Sequence, residues 1–382
     1  MEAIGQAHTN SITSVILSLS LSDKGLLALT MSVSACHLIR RISTIGSDDH
    51  NSKCHDSLIG STDYKALQRA QWKYLTQGIQ EHSQRIRDLA SGRRRTTNDL
   101  IVALAGALLM CQLSTCDGGV DGLWRVHLDA AQALGRDLRV EATPFTDGYT
   151  VRVIMDWLLY HIAICRLTAR DRHLLFIDGD AVVGKVLLVG PQDGLAIIIN
   201  RIFNLKMVAK AEGRDLCITT ATAIHLSPQL ITDALAISAD LEAWQYRYST
   251  FQQGVVGECY RWAAFILLYS IVYDCTLTHE RIQYALQGGL ECLDELSETD
   301  SAQTCALFPM FVFGISAVKQ VDQERVRKKL DAHQRWSGLG NVAEARRFLE
   351  LWWEQCEMNG SQIEWWMWQS VALNHGIDPV LV

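Results

Sequence analysis

Seven residues near the middle of the chain have the spacing of a phosphate-binding loop. Gly179, Gly184 and Lys185 match the first seven positions of Gly-x-x-x-x-Gly-Lys-Ser/Thr, whose backbone amides and lysine hold nucleotide phosphates. The eighth position is Val186, where the hydroxyl that binds Mg²⁺ is required. Such a loop also needs a strand before it, whereas the surrounding sequence is predicted to be helical. A glycine-containing turn between helices therefore fits this segment better than a nucleotide site.

Clustered carboxylates are the second chemistry to consider, because all-α enzymes that ionise prenyl diphosphates use them to hold Mg²⁺. The only adjacent aspartates, Asp48 and Asp49, precede polar residues of a predicted loop and no third acid follows them on a helix. Asn204 and Glu212 have the spacing of part of a second metal motif, but Val208 stands where a hydroxyl is needed. An all-α biosynthetic enzyme of the terpene synthase or prenyl-diphosphate class is therefore an alternative that lacks its motifs.

Cysteine and histidine residues give no clear metal or nucleophile pattern. Cys111, Cys116 and His127 come nearest to a cluster, yet a structural zinc site needs pairs of ligands two to four residues apart, repeated in the chain. Cys54 and His55 are adjacent in the predicted loop without a further general base nearby in sequence. We predict buried thiols on apolar helices and no catalytic residue, metal ligand or cofactor.

Two basic clusters have both a functional and a structural interpretation. Residues 93–95 are three arginines, and residues 325–329 contain four basic side chains among Asp322, Glu324 and Asp331. Phosphate contact or nuclear import is the functional interpretation. Cations at a helix C-terminus and a solvated helix face are the structural ones, which we favour.

Five of the 11 tryptophans are close together near the C-terminus, at Trp352, Trp353, Trp365, Trp366 and Trp368. Aromatic residues at this density form either core or a partner-binding surface. We favour core, with a helix-packing or dimerisation surface as the alternative.

Helices are the predicted elements that position all of these residues. Apolar residues recur at three- and four-residue steps behind capping residues over most of the chain, which is already helical by about residue 11. The predicted helices cover residues 61–90, 97–113, 123–138, 151–169, 194–211, 228–248, 254–273, 280–296 and a stretch from 341 onward. Residues 43–60 are predicted to form a flexible loop, and residues 173–189 a connection with a short helix.

We therefore predict an all-α fold of ten or more helices without a significant sheet. Residues 1–60 would provide N-terminal helices and the loop. Residues 61–382 would form a helical regulatory-type domain, continuous with those N-terminal helices.

The composition of the 382 residues agrees with such a fold. Only 5 prolines occur and 48% of residues are hydrophobic, so long uninterrupted helices around a large core are permitted. The net charge of -7 argues against autonomous DNA binding, since phosphate neutralisation supplies most of that affinity.

The 11 scattered cysteines and the N-terminal sequence indicate neither a disulfide framework nor a signal peptide, which predicts a reducing intracellular compartment. The apolar runs at residues 101–113 and 263–273 are shorter than the roughly 20 residues that cross a bilayer.

Three stretches in a fixed order carry a family resemblance. They are residues 99–113 with the Trp-x-x-His-Leu segment of residues 124–131, residues 188–205, and residues 307–317; an Arg-bearing helix, a Gly-Asn turn and a Trp-containing helix follow at residues 320–352. From about residue 26 onward, this order resembles the regulatory domain that follows the zinc binuclear cluster in fungus-specific transcription factors. Ala130 replaces the usual glycine and Phe308 a commoner tryptophan. We expect Pro309 to lie at a helix start and Gly314 to permit close approach of a neighbour.

The resemblance implies a nuclear transcription regulator that controls a secondary-metabolite or nutrient-use gene cluster. Family members read DNA through an N-terminal cluster in which six thiolates hold two zinc ions. Here only Cys36 and Cys54 lie in the first hundred residues, so the DNA-reading module is expected to be missing from this chain.

The resemblance also sets the expected partners. We expect the chain to act as a homodimer, or as a heterodimer with a DNA-binding family member, without direct nucleic-acid or membrane contact. A small-molecule effector in the helical core and a non-catalytic interaction scaffold are further alternatives.

Overall fold

The all-α prediction is confirmed. The computed structural model describes residues 6–47, 61–93, 96–119, 122–141, 148–168, 194–213, 226–246, 250–273, 276–359 and 363–381. These ranges contain 14 α-helices and no strand. The helices are α1 (Gln6–Ser22), α2 (Lys24–Ser47), α3 (Ser61–Ala90), α4 (Thr97–Asp117), α5 (Leu123–Glu141), α6 (Gly148–Cys165), α7 (Leu195–Ala211), α8 (Pro228–Ala243), α9 (Phe251–Val272), α10 (Glu280–Glu295), α11 (Leu307–Ser316), α12 (Gln320–Ser337), α13 (Gly340–Asn359) and α14 (Trp368–Asn374).

The described residues group into two compact units. The first contains Gln6–His161 and His333–Ala343, and the second contains Ile162–Ala332 and Glu344–Val382. The boundaries fall within α6, α12 and α13. The division into residues 1–60 and 61–382 stays a prediction.

Helix α4 is the core helix of the first unit. Its start is fixed by a capping box, in which the Thr96 side chain accepts from the Asp99 amide and the Asp99 carboxylate accepts from the Thr96 amide. Gly118 ends it in the left-handed conformation, at φ 97°. Fifteen of the 21 residues between these caps are buried, as predicted for a helix that is apolar nearly all round.

Helices α2 and α3 pack antiparallel in the first unit. Gly78 permits the close approach, because a Cβ there would lie 2.6 Å from the Leu29 Cδ2. The loop predicted from residue 43 begins too early, since α2 continues to Ser47. Ser43 is compatible with the helix because its Oγ donates to the Ile39 carbonyl one turn back, at 3.0 Å. Residues 48–60 of that predicted loop lie outside the described residues.

Helix α9 is the core helix of the second unit, as α4 is of the first. Its Tyr260 stacks on Phe308 of α11 with ring centroids 5.3 Å apart and donates to the Cys305 carbonyl at 2.9 Å. By length and composition alone, Thr97–Asp117 and Phe251–Val272 are apolar enough to cross a membrane, although their apolar runs looked too short in the sequence. The most apolar windows of these two helices are 83% and 72% buried inside the protein, as expected of core helices.

Candidate functional site

Helix α11 carries the most distinctive segment of the family resemblance, and all ten of its residues are buried. Pro309 lies in the first turn, where a missing backbone N–H leaves no hydrogen bond broken. A Cβ on Gly314 would lie 2.5 Å from the Leu349 Cδ1, so only glycine permits α13 to pack this closely. Both predicted roles, for Pro309 and for Gly314, are confirmed.

The C-terminal carbonyls of α11 are buried and cannot reach water, so side chains must satisfy them. Two adjacent tryptophans of α13 do so. The indole Nε1 of Trp352 donates to the Ile315 carbonyl at 2.9 Å, and that of Trp353 donates to the Gly314 carbonyl at 2.8 Å.

A third indole completes this arrangement. Trp365 Nε1 donates to Ser316 Oγ at 2.8 Å, and that hydroxyl donates in turn to the Val312 carbonyl at 2.8 Å. Gln283 of α10 donates to the Ser316 carbonyl at 3.0 Å. We call Trp352, Trp353 and Trp365 the indole cap, since together they close the end of α11.

All five C-terminal tryptophans are core residues, with exposed fractions of 0–3%. Trp368 packs edge-on against Phe311, with ring centroids 5.2 Å apart. Lys206 Nζ lies 3.4 Å from the centroid of the Trp366 ring and donates to Gln369 at 3.2 Å. The alternative that these tryptophans form a dimerisation surface is therefore wrong, because their side chains are buried inside the second unit.

The basic cluster of residues 325–329 is occupied by contacts within the second unit. Arg325 Nη2 contacts the Asp294 carboxylate at 2.6 Å, and Arg327 pairs with Glu350 at 2.8 Å. These ion pairs join α12 to α10 and α13. The geometry supports the structural interpretation of this cluster, in which the cations serve the fold and form no phosphate-binding patch.

Lys329 has a specific structural role. Only 8% of the residue is exposed, and its Nζ donates to the Leu296 carbonyl at 2.6 Å and to the Asp294 carbonyl at 3.2 Å. These carbonyls lie at the C-terminal end of α10, where a cation also interacts favourably with the helix dipole. Burial lowers the pKa of Lys329, so its charge depends on these contacts.

Replacing Lys329 with methionine is expected to reduce the free energy of unfolding by about 1–3 kcal/mol, because the buried Leu296 carbonyl and the part-buried Asp294 carbonyl lose their donor. The neighbouring Lys328 is the matched control. Its side chain is 71% exposed and lies 3.8 Å from Glu298. Lys328→Met should change stability by less than about 0.5 kcal/mol. Urea unfolding followed by circular dichroism measures both, and equal effects at the two positions would contradict the proposed role of Lys329.

Cys111, Cys116 and His127, which come nearest to a metal cluster in the sequence, are not grouped as a metal site in the described part of the chain. Cys111 Sγ donates to the Trp124 carbonyl at 3.6 Å, and burial raises the pKa of its thiol to about 12. Cys116 is a buried free thiol. Among the residues that the structure describes, no three His, Cys, Asp or Glu side chains are placed to hold a metal ion.

The partial diphosphate motif is also used in other contacts. Arg166 Nη2 donates to Asn204 Oδ1 at 2.7 Å, and Ser227 donates to Glu212 at 2.7 Å. Each polar group is therefore engaged with a neighbour in the second unit.

Several sequence candidates lie outside the described residues. They are the phosphate-loop-like residues 179–185, the pair Asp48 and Asp49, the pair Cys54 and His55, Arg94 and Arg95. Arg93 is described and exposed.

A small crevice lies beside the closest helix contacts of the first unit. A crevice between α2, α3 and α4 has a volume of ≈10 Å³ and is lined in part by Glu81, His82 and Gly106. One water molecule needs about that much space.

Sequence reasoning missed one surface feature, an exposed apolar face on α1 and α2. Its members are Leu17, Leu21, Leu27, Met31 and Leu38, with exposed fractions of 48%, 83%, 40%, 43% and 51%. We call it the α1–α2 leucine face. The signal was present in the sequence, since residues 26–29 read Leu-Leu-Ala-Leu, too many apolar residues for a single buried stripe.

The described side chains of the family-like segments serve helix packing in an all-α fold. The sequence matches the fungal specific transcription factor domain over residues 3–381, and the chain belongs to that family. The predicted resemblance is thereby confirmed over nearly the whole chain, and the family is one of transcription regulators. Comparisons with curated proteins and with solved structures gave no match.

Proposed function

We propose that this chain regulates transcription in the nucleus through protein partners. The family match over residues 3–381 is the observation that carries the proposal, because it assigns nearly all of the chain to a regulatory domain. The net charge of -7 fits a protein that leaves DNA contact to a partner. Within these 382 residues, only Cys36 and Cys54 precede residue 100, so this stretch holds no six-cysteine cluster.

The contacts of several candidate reactive groups support a non-catalytic role. Burial raises the pKa of the Cys111 and Cys305 thiols to about 12, which suppresses the thiolate that a nucleophile requires. Asn204 and Glu212 of the partial diphosphate motif are bound to Arg166 and Ser227. These contacts support a regulator over the all-α enzyme alternative.

The proposed target is a secondary-metabolite or nutrient-use gene cluster. Deleting the gene should change transcript levels of a restricted set of neighbouring genes, and reintroducing the intact gene should restore them. An unchanged transcriptome under conditions in which the protein is present would contradict the proposal.

A tethering experiment tests the same function without knowledge of the target. The chain fused to a heterologous DNA-binding domain should change expression of a reporter that carries the cognate sites. The DNA-binding domain alone is the control, and a fluorescent fusion checks the nuclear location. Reporter expression equal to the control would contradict a regulatory role.

A further inference from the structure

Arg166 is a half-buried cation of the second unit whose hydrogen bonds all go to neutral acceptors. It directly follows α6, and its guanidinium reaches α7. Nη1 donates to Asn200 Oδ1 at 3.2 Å and to the Asn200 carbonyl at 3.3 Å, and Nη2 donates to Asn204 Oδ1 at 2.7 Å. The centroid of the Phe203 ring lies 5.7 Å from the guanidinium carbon. Arg166 forms no ion pair with any residue that the structure describes.

The missing counter-ion leaves part of this charge uncompensated. Burial lowers the pKa of Arg166 to about 10. Burying a charge is unfavourable, and neutral oxygens offset the loss of water less well than a carboxylate does. Two other half-buried arginines of the second unit have carboxylate partners, since Arg261 contacts Glu258 at 2.7 Å and Arg327 contacts Glu350 at 2.8 Å. Arg166 therefore has positive charge available for a bound anion.

The two asparagines add hydrogen-bond donors beside this charge. Asn200 and Asn204 are four residues apart and share one face of α7. Because the oxygen of each amide accepts from Arg166, the amide nitrogen points elsewhere, and neither nitrogen has an acceptor among the described residues. An amide nitrogen donates two hydrogen bonds and accepts none. Both side chains belong to half-buried residues, so a ligand can reach them from solvent.

The helix that carries the asparagines is itself positively charged. Helix α7 contains Arg201, Lys206 and Lys210 and no acidic residue. Lys206 Nζ donates to Gln369 Oε1 at 3.2 Å, and Gln369 Nε2 donates to the Leu167 carbonyl at 2.8 Å, next to Arg166 in the chain. A metal ion does not fit here, because the amide oxygens are already used and the surroundings are cationic.

The shape of the group favours a small ligand over a nucleic acid. A guanidinium holds two oxygens of one carboxylate or phosphate at a time, and neighbouring amide donors add to the same oxygens. Nucleic-acid binding depends on many phosphates that are neutralised together by a series of cations. Here one guanidinium lies between two neutral amides, which matches a single oxyanion group.

We propose that Arg166, Asn200 and Asn204 bind the carboxylate or phosphate group of a small molecule. The remaining N–H groups of the guanidinium and the amide nitrogens donate to its oxygens, and the ligand supplies the counter-ion that Arg166 lacks. Ligand binding then stabilises the second unit. The proposal does not depend on the proposed role in transcription, so saturable binding together with an inactive reporter fusion would refute only that role.

Isothermal titration calorimetry on the full chain tests the site with two probes, inorganic phosphate and malonate, at constant ionic strength. We expect saturable one-to-one binding of at least one probe with a Kd of about 1 mM or tighter. Sodium chloride is the control for a general salt effect and should give no saturable heat. Binding of phosphate alone would identify a phosphate ligand, binding of malonate alone a carboxylate ligand, and binding of both their shared oxyanion chemistry.

Asn204→Asp is the most specific variant, because it gives Arg166 a carboxylate at a position whose Oδ1 already lies 2.7 Å from Nη2. The built-in counter-ion should weaken the binding of either probe about tenfold or more without lowering the urea midpoint. Arg166→Met should lose the binding as well. Arg201→Gln is the matched control, since it removes a cation from the same helix that is paired with Asp240, and its Kd should stay within about twofold of the wild type.

Three results would overturn the proposal. The first is a wild-type protein that binds neither probe saturably. The second is an Asn204→Asp variant with the affinity of the wild type. The third is an equal loss of affinity in Arg201→Gln and Asn204→Asp, because binding would then reflect the general charge of α7.

Discussion

Replacing Trp352 with alanine is expected to lower the free energy of unfolding by about 3–5 kcal/mol, a large part of the roughly 5–15 kcal/mol that stabilises a typical domain. Trp352 is 1% exposed, so the change leaves a cavity the size of an indole between α11 and α13. It also leaves the buried Ile315 carbonyl without the donor that lies 2.9 Å away. Both losses act on the second unit.

The chain offers a control with the same chemistry. Trp72 on α3 is 66% exposed, and Trp72→Ala should change stability by no more than about 0.5 kcal/mol. Trp352→Phe keeps most of the volume and removes the indole N–H, so it should cost about 1–3 kcal/mol, between the two alanine variants. Urea midpoints from circular dichroism give all three values. Equal losses for Trp352→Ala and Trp72→Ala would show that the indole cap does not hold α11.

Sequence patterns predicted the helix starts better than the helix ends. The predicted bounds of α3 are those observed at Ser61–Ala90, and α4, α8 and α10 also begin where predicted. Starts are encoded locally by residues such as Ser227, whose side chain accepts from the Leu230 amide. Helix α8 was predicted to continue to residue 248 but ends at Ala243, because Trp244 turns into an extended conformation and is buried. The burial of Trp244 in the tertiary structure determines where α8 ends, and no local sequence signal marks this end.

The indole cap could be predicted only in part. Trp352 lies on the expected stripe of α13, and core was the favoured interpretation for the tryptophans. Which acceptor each indole binds depends on contacts between residues 37–49 positions apart, and helical periodicity contains no such information.

The leucine face was missed for a related reason. Helix α2 has apolar residues on two sides, and periodicity does not say which side is covered. The packing of α2 on α3 and α4 buries residues such as Leu26 and Leu29 and leaves Leu27 and Met31 outside.

Acidification from about pH 6.5 to about pH 4 is expected to destabilise the first unit through three histidines, of which His161 and His333 are buried and His82 is half-buried. Burial lowers the pKa values of His82, His161 and His333 to about 4 from an ordinary value of 6.5. Below pH 6.5 the unfolded chain binds protons that the folded unit does not, so stability falls as the pH falls through this window. Each fully buried ring contributes up to about 3 kcal/mol, since one pKa unit corresponds to about 1.4 kcal/mol.

Asp156 acts in the opposite direction. Burial raises the pKa of its carboxyl group to about 7, with a small opposing effect from Arg152, and its residue is 4% exposed. Between about pH 4 and pH 7 the folded unit therefore binds a proton that the unfolded chain has lost, and stability rises as the pH falls. The wild-type protein should show the difference between the histidine losses and this gain.

Two variants separate the opposing contributions to acid sensitivity. His333→Leu removes a ring that is fully buried and whose two nitrogens have no hydrogen-bond partner among the described residues, so stability should fall less on acidification than in the wild type. Asp156→Asn removes the opposing gain, so acid should destabilise this variant more steeply. Urea unfolding at about pH 7 and about pH 5 gives the loss for each protein. If Asp156→Asn lost less stability than the wild type between these two conditions, the assigned protonation of Asp156 would be wrong, and if His333→Leu lost as much, His333 would not be a source of the acid sensitivity.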